Sequence, residues 1–289
     1  MRRAVLFFTI CLLFCAGTTV GQEGASKMEV KKPIFFDVSP PLRDMATMPV
    51  TKGDNSWKSG IVKNYFNARK NHNRMTFPEN YSDALQQRAM GPDVVMDTTI
   101  QNFEGNSNTQ GYDPPDTHGD VGPNHYFQVV NCHYSIYNKS GALLLGPSNT
   151  STIWNGMSNN SNDGDAIVLY DENANRWFVS QFSLPNYPAG PFYQMIAVST
   201  TPDPTGTWYR WQYTYTNMGD YPKFGIWPDG YYMAVNLFTA NAGNYAGTGQ
   251  AAFNRTKMLA GDASAEMIWF TLPSSNLFLG LVPRRLRRN

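Results

Sequence analysis

Short runs of alternating apolar and polar residues, separated by Gly, Pro, Asn and Asp, fill the chain from about residue 94 onward. Alternation with a period of two is typical of half-buried β-strands, and the intervening residue types favour turns. Three of these runs resemble one another, and their leading aromatic residues, Tyr126, Trp177 and Tyr231, follow at spacings of 51 and 54 residues. The pattern predicts an all-β domain built from a repeated unit.

Each repeat contains four predicted strands. The resembling run is the second strand, a shorter apolar run is the third, and a fourth, clearest at Trp208–Tyr215 and Met267–Leu272, closes the unit. Four strands at a period of about 50 residues are typical of a β-propeller blade. The sequence therefore predicts a partial β-propeller of three four-stranded antiparallel blades within residues 94–283, with a β-sandwich as the alternative. A strand predicted at 94–103 belongs to no complete blade.

The N-terminal region is predicted to direct export. Arg2 and Arg3 precede the apolar run 4–16, which is too short to span a bilayer, so residues 1–21 are predicted to be a secretory signal peptide. Residues 22–93 contain scattered prolines and no sustained periodicity. We expect them to form an extended leader with little regular structure.

The C-terminal end departs from the repeat. Residues 284–289 form a basic tail that looks non-native. With about four to eight blades needed to close a propeller ring, we expect the repeat segment to be an incomplete propeller.

Charge and cysteine content limit the class of protein further. Residues 91–283 carry 6 Lys and Arg against 15 Asp and Glu. Nucleic acids are bound through clustered cations, so an acidic body argues against a nucleic-acid partner. No transmembrane segment is expected, and Cys132, the one cysteine beyond the signal peptide, is expected to be a buried apolar residue.

Several motifs resemble known propeller proteins. The segment 201–208, with Asp203, Gly206 and Trp208, resembles the Asp-box of sialidase-type propellers, in which Asp accepts turn N–H bonds, Gly takes a positive φ and Trp packs between strands. The segment 165–179 resembles the start of a blade in arabinanase-like glycosidases. Together with segments 113–126 and 220–232, these motifs resemble a family of secreted, largely uncharacterised propeller proteins of Bacteroidota-like bacteria.

An acidic residue stands at the start of each first strand: Asp116, Asp165 and Asp220, at spacings of 49 and 55 residues. The arabinanase resemblance implies that these carboxylates face the central channel, where a pair of them serves glycoside hydrolysis. The alternative is that each Asp caps its own loop through backbone N–H groups.

A second acidic group lies in one Pro- and Gly-rich loop: Asp113, Asp116, His118 and Asp120. Carboxylates that converge can hold a hard cation such as calcium, although the spacing fits no EF-hand and a solvated turn is the alternative. No other cofactor is expected.

The sequence thus predicts an exported protein that is secreted or held at the outer cell surface of a bacterium. Its expected activity is the binding of an extracellular glycan or protein. The alternative is a carbohydrate-active hydrolase that uses Asp116, Asp165 and Asp220.

Overall fold

The computed structural model describes residues 28–45, 47, 49, 50, 101–112 and 114–273. Within these ranges the chain is all-β: its strands form three antiparallel sheets, and none of the sheets closes on itself. The predicted signal peptide, most of the predicted leader, residue Asp113 and the basic tail lie outside the described residues.

The strands follow the chain in the order of the predicted repeats. The leader supplies β1 (Glu29–Lys31) and β2 (Phe35–Val38). The first repeat contains β3 (Thr117–Val121), β4 (His125–Val130), β5 (His133–Asn138) and β6 (Leu143–Asn149). The second contains β7 (Gly164–Asp171), β8 (Arg176–Ser183), β9 (Phe192–Ser199) and β10 (Trp208–Tyr215). The third contains β11 (Met218–Ile226), β12 (Tyr231–Phe238), β13 (Tyr245–Phe253) and β14 (Met267–Leu272), with helix α1 (Arg255–Ala260) before β14.

Each repeat forms one sheet in which successive strands are neighbours, so the prediction of four-stranded antiparallel units is confirmed. We call these sheets the first, second and third sheet in chain order. The alternating pattern located the fourth strands well: β10 and β14 have the predicted bounds.

The described part of the leader contains two short strands that the sequence pattern did not predict. Strand β2 pairs antiparallel with β10 at the edge of the second sheet, and β1 pairs antiparallel with β14 at the edge of the third. Both strands are very short, so their own sequence carries too few alternations to be recognised, and pairing with a preformed sheet edge supplies the missing stabilisation.

The three sheets are stacked with the second in the middle. One apolar cluster joins the first and second sheets and contains Phe127, Trp177 and Trp208. Another joins the second and third sheets and contains Phe178, Trp211 and Tyr231. Successive residues on a strand point to opposite faces, so Trp177 and Phe178 bury the two faces of the second sheet.

The first strands of neighbouring sheets are in contact, β3 with β7 and β7 with β11. Side chains of β3 accept hydrogen bonds from the backbone of β7: the Tyr170 N–H donates to Asp120 Oδ2 at 2.8 Å, and the Val168 N–H donates to His118 Nδ1 at 3.4 Å. These contacts satisfy backbone groups on the side of β7 that no strand of its own sheet covers.

The outward face of the first sheet is covered by residues 101–112. Phe103 packs against Tyr126 and Tyr137, with ring centroids 6.0 and 5.4 Å apart. Residues 101–103, the described end of the strand predicted at 94–103, are not in a strand.

The Asp-box-like segment forms the β9–β10 hairpin. Asp203 Oδ1 accepts a hydrogen bond from the Thr205 N–H at 2.9 Å, and the Trp208 indole, 1% exposed, donates to the Pro204 carbonyl at 3.1 Å. Gly206 does not take the expected positive φ. Its N–H donates to the Asp203 carbonyl and helps to close the turn.

Candidate functional site

The outward face of the third sheet carries an open cleft with a volume of about 360 Å³. It lies over β12, β13 and β14 and is bounded by the β11–β12 turn. Its lining contains three aromatic side chains together with one methionine and two alanines, and its polar side-chain groups include one hydroxyl, one carboxylate and one amide. The lining side chains used below are Trp227, Asp229, Tyr232, Gln250, Ala252 and Phe270.

The cleft is hollow because the third sheet carries smaller or more polar residues than the second at matching positions. Tyr232 occupies the position of Phe178, 54 residues earlier, as the strand register shows. Phe178 is 1% exposed, because the third sheet covers it. Three neighbouring positions differ between the two sheets. Leu169, Val198 and Ile196 of the second sheet correspond to Gly225, Ala252 and Gln250 of the third.

Two aromatic side chains at the cleft are accessible to a ligand. Trp227 is 41% exposed and Phe270 is 37% exposed. Tyr232 donates a hydrogen bond from its hydroxyl to Asp229 Oδ2 at 2.8 Å, which restrains its ring. This hydrogen bond, with a contribution from burial, raises the pKa of the Tyr232 hydroxyl.

The turn that carries Trp227 is anchored in the core. Trp227 and Gly230 exchange backbone hydrogen bonds at 3.0 and 3.3 Å. The Arg255 guanidinium donates to the Pro228 carbonyl at 3.1 Å and to both oxygens of the buried Asp171 at 2.6 and 3.0 Å. One wall of the cleft is therefore held by a charged hydrogen-bond network.

The three predicted acids lie at the same end of the three first strands. Asp116 directly precedes β3 and has a φ of 42°, Asp165 is the second residue of β7, and Asp220 is the third residue of β11. Asp165 is 3% exposed, whereas the other two are half-buried.

The acids do not occupy identical ladder positions. Asp220 pairs with Asn236. The residue that matches Asn236 in the second sheet is Phe182, 54 residues earlier, and Phe182 pairs with Gly164. Asp165 is therefore one residue further along its strand and lies inside a bulge. A second bulge directly follows Asp220. Bulges at these points re-aim the neighbouring side chains, so the repeat alone does not determine the directions of Asp165 and Asp220.

The loop proposed for calcium is engaged in other contacts. Asp120 and His118 accept hydrogen bonds from β7, as described above, and Asp113 lies outside the described residues. Burial lowers the pKa of His118, and the charge of Lys223 lowers it further. Within the described ranges, no group of three or more His, Cys, Asp or Glu residues is arranged to hold a metal ion.

Sequence reasoning missed the cleft. The signal that could have found it is the comparison of matched positions between repeats, because a change from Ile196 to Gln250 or from Leu169 to Gly225 marks a face with a different environment. Trp227 in the turn before Asp229 is a second signal.

The chain matches no protein-family model and no curated protein sequence. In the part of the chain that the structure describes, no helix has the length and apolar character needed to cross a membrane.

Proposed function

We propose that this protein is an exported β-propeller module that binds an extracellular glycan through the cleft on its third sheet. The export part of the proposal rests on the signal-peptide pattern of residues 1–21. The cleft is the observation that carries the binding activity.

The propeller arrangement is supported by the way in which the sheets stack. Three similar sheets follow one another face to face, and their first strands are adjacent. Repetition of one step from sheet to sheet is what a propeller requires, whereas a sandwich has two facing sheets.

A glycan fits the chemistry of the cleft better than an apolar partner does. Sugar rings present apolar C–H faces that stack on aromatic rings such as Trp227, and hydroxyl groups that pair with carboxylates and amides such as Asp229 and Gln250. The polar Gln250 and the small Ala252 replace the large aliphatic residues that bury the matching face of the second sheet.

The test is binding of defined oligosaccharides to the protein from residue 22 onward. We expect saturable binding by isothermal titration calorimetry to at least one member of a panel of cello-, xylo-, chito- and arabino-oligosaccharides. Trp227→Ala should weaken the affinity at least tenfold, about 1.4 kcal/mol, because a stacking surface is lost. Tyr187→Ala is the matched control: Tyr187 is 37% exposed and lies outside the cleft, so affinity should not change. Equal losses in both variants, or no binding to any panel member, would contradict the proposal.

Glycoside hydrolysis is the second candidate. It is favoured by one observation: Asp116, Asp165 and Asp220 lie at the same end of adjacent first strands. The same oligosaccharide panel decides it. If the unaltered protein forms product and the variant with all three acids changed to Asn does not, the protein is a hydrolase. If the unaltered protein binds an oligosaccharide without forming product, it is a binding module.

A further inference from the structure

The lining of the cleft on the third sheet carries one formal charge, and that charge is negative. Asp229 lies in the β11–β12 turn, lines the cleft and is exposed. The described lining contains no Lys, Arg or His. Tyr232 donates its hydrogen bond to Asp229 Oδ2, and among the described residues no donor occupies Oδ1. The cleft therefore offers a ligand an anionic acceptor without a cation beside it.

Neither Arg255 nor Lys223 balances the charge of the cleft. Arg255 holds the turn from the core side, but its guanidinium is paired with both oxygens of the buried Asp171. The Lys223 side chain is directed to another ring, with Nζ 3.5 Å from the centroid of Tyr221. Residues 91–283 as a whole are acidic. A ligand that enters the cleft thus meets a negative potential.

The aromatic side chains of the cleft add to its preference for a cation. Trp227 and Phe270 are 41% and 37% exposed, and Tyr232 completes the aromatic lining. The faces of aromatic rings attract ammonium groups, and the indole ring of Trp does so most strongly. Trp227 and Asp229 belong to the same turn, so an ammonium group bound there is attracted by both.

We propose that the cleft selects glycans that carry protonated amino groups, such as chains of glucosamine residues, over neutral and acidic glycans. This inference rests on the glycan binding proposed above and names the substrate class of that same site. The ammonium group donates charge-assisted hydrogen bonds to Asp229 and lies against the face of Trp227, while the sugar rings stack along the cleft. Glycans with carboxylate groups are disfavoured, because a like charge would face Asp229.

Three oligosaccharides of equal length and identical backbone linkage test the charge preference. They differ in one group on each sugar ring: hydroxyl in the cello-oligosaccharide, acetamido in the chito-oligosaccharide and ammonium in the glucosamine oligosaccharide. The protein from residue 22 onward is titrated by calorimetry at a pH at which the glucosamine amine is protonated. We expect the glucosamine oligosaccharide to bind about tenfold more tightly than either neutral one. Added salt should reduce this preference.

Asp229→Asn removes the charge and keeps an oxygen that can accept the Tyr232 hydrogen bond, so the fold and the stacking surface are retained. In this variant the affinities for the three oligosaccharides should lie within about twofold of one another, because only the charge distinguishes them. Glu104→Gln is the matched control. Glu104 is exposed in the segment that covers the first sheet, at the other end of the stack, so its removal should leave the preference unchanged.

The outcomes separate this inference from the proposed function. Neutral oligosaccharides that bind as tightly as the glucosamine oligosaccharide would overturn the inference and leave glycan binding intact. A preference that survives in Asp229→Asn, or that falls equally in Glu104→Gln, would also overturn it, since the acidic body as a whole would then attract the cation. Failure of all three oligosaccharides to bind would contradict the proposed function itself.

Discussion

Asp171 illustrates how much a single residue contributes to joining two sheets. Its side chain is fully buried at the end of β7. It accepts two hydrogen bonds from Arg255, one at 2.9 Å from the Tyr231 hydroxyl, and two from the turn amides of Asn173 and Ala174 at 3.1 Å. The second and third sheets therefore meet at one carboxylate, and Arg255 links it to the turn that walls the cleft.

We predict that Asp171→Asn lowers the free energy of unfolding by about 3 kcal/mol, because removing one partner leaves a buried guanidinium unpaired. Urea unfolding followed by tryptophan fluorescence measures the change. The control is Glu266→Gln, which removes a more exposed ion pair with Lys257 and should leave the urea midpoint unchanged. Similar losses in the two variants would show that Asp171 has no special role.

At the scale of elements, the leader strand β2 completes the second sheet. Arg210 of β10 is 2% exposed at its side chain and pairs with Asp37 of β2 at 2.5 and 2.8 Å. It also donates to the carbonyls of Ile153 and Asn155 at 2.7 and 2.9 Å. A single buried cation thus joins the leader, the outer edge of the second sheet and the connection between the first two sheets.

We predict that Asp37→Asn weakens the attachment of the leader by about 2 kcal/mol, since a charged hydrogen-bond pair is lost while the two carbonyl contacts remain. Hydrogen exchange of the β10 amides that pair with β2 should accelerate by about 30-fold, as 1.4 kcal/mol corresponds to tenfold. Glu29→Gln alters the exposed Glu29–Lys31 pair in the same leader and serves as the control. Unchanged exchange in Asp37→Asn would place the anchor of the leader elsewhere.

At the scale of the whole molecule, the two ends of the stack differ. The outward face of the first sheet is polar and is covered by residues 101–112: Ser135 donates to Asn106 Oδ1 at 2.6 Å, and the His133 ring lies 3.0 Å from the Ser107 carbonyl and 3.1 Å from Gln110 Oε1. The outward face of the third sheet carries the open cleft. Among the described residues, one end is covered by residues 101–112, and the other carries the open cleft.

The described histidines make stability depend on pH. Burial lowers the pKa of each below the ordinary value of 6.5; Lys223 adds to this at His118, while Asp203 opposes it at His125 and the Ser107 carbonyl opposes it at His133. The unfolded chain then binds more protons than the folded protein just below pH 6.5, so the stabilisation is present above that pH and is lost as pH falls towards the lowered values.

We predict that the urea concentration at the unfolding midpoint decreases when the pH is lowered from 7.5 to 5.5. This range extends about one unit either side of the ordinary histidine pKa. His133→Gln should reduce the dependence of the midpoint on pH, because His133 is 1% exposed and its burial lowers the pKa of the ring. A midpoint that is constant or rises on acidification would contradict the assignment of neutral buried histidines.

Local sequence determined the strands and their repetition. Alternation and turn residues act between near neighbours, so the bounds of β10 and β14 and the spacing of Tyr126, Trp177 and Tyr231 could be read without a structure. The placement of Asp116, Asp165 and Asp220 at the starts of first strands follows from the same repeat.

Tertiary structure decided which faces and edges are covered. Tyr232 and Phe178 occupy matching positions, yet Phe178 is buried by the next sheet and Tyr232 borders a cleft. Strands β1 and β2 exist because distant edges were available for pairing. The cover over Tyr126 comes from Phe103, which the sequence pattern assigned to a strand and which is not in one. Burial depends on contacts between residues far apart in the chain. Local hydrophobic patterning does not encode which distant segment covers a given face or edge.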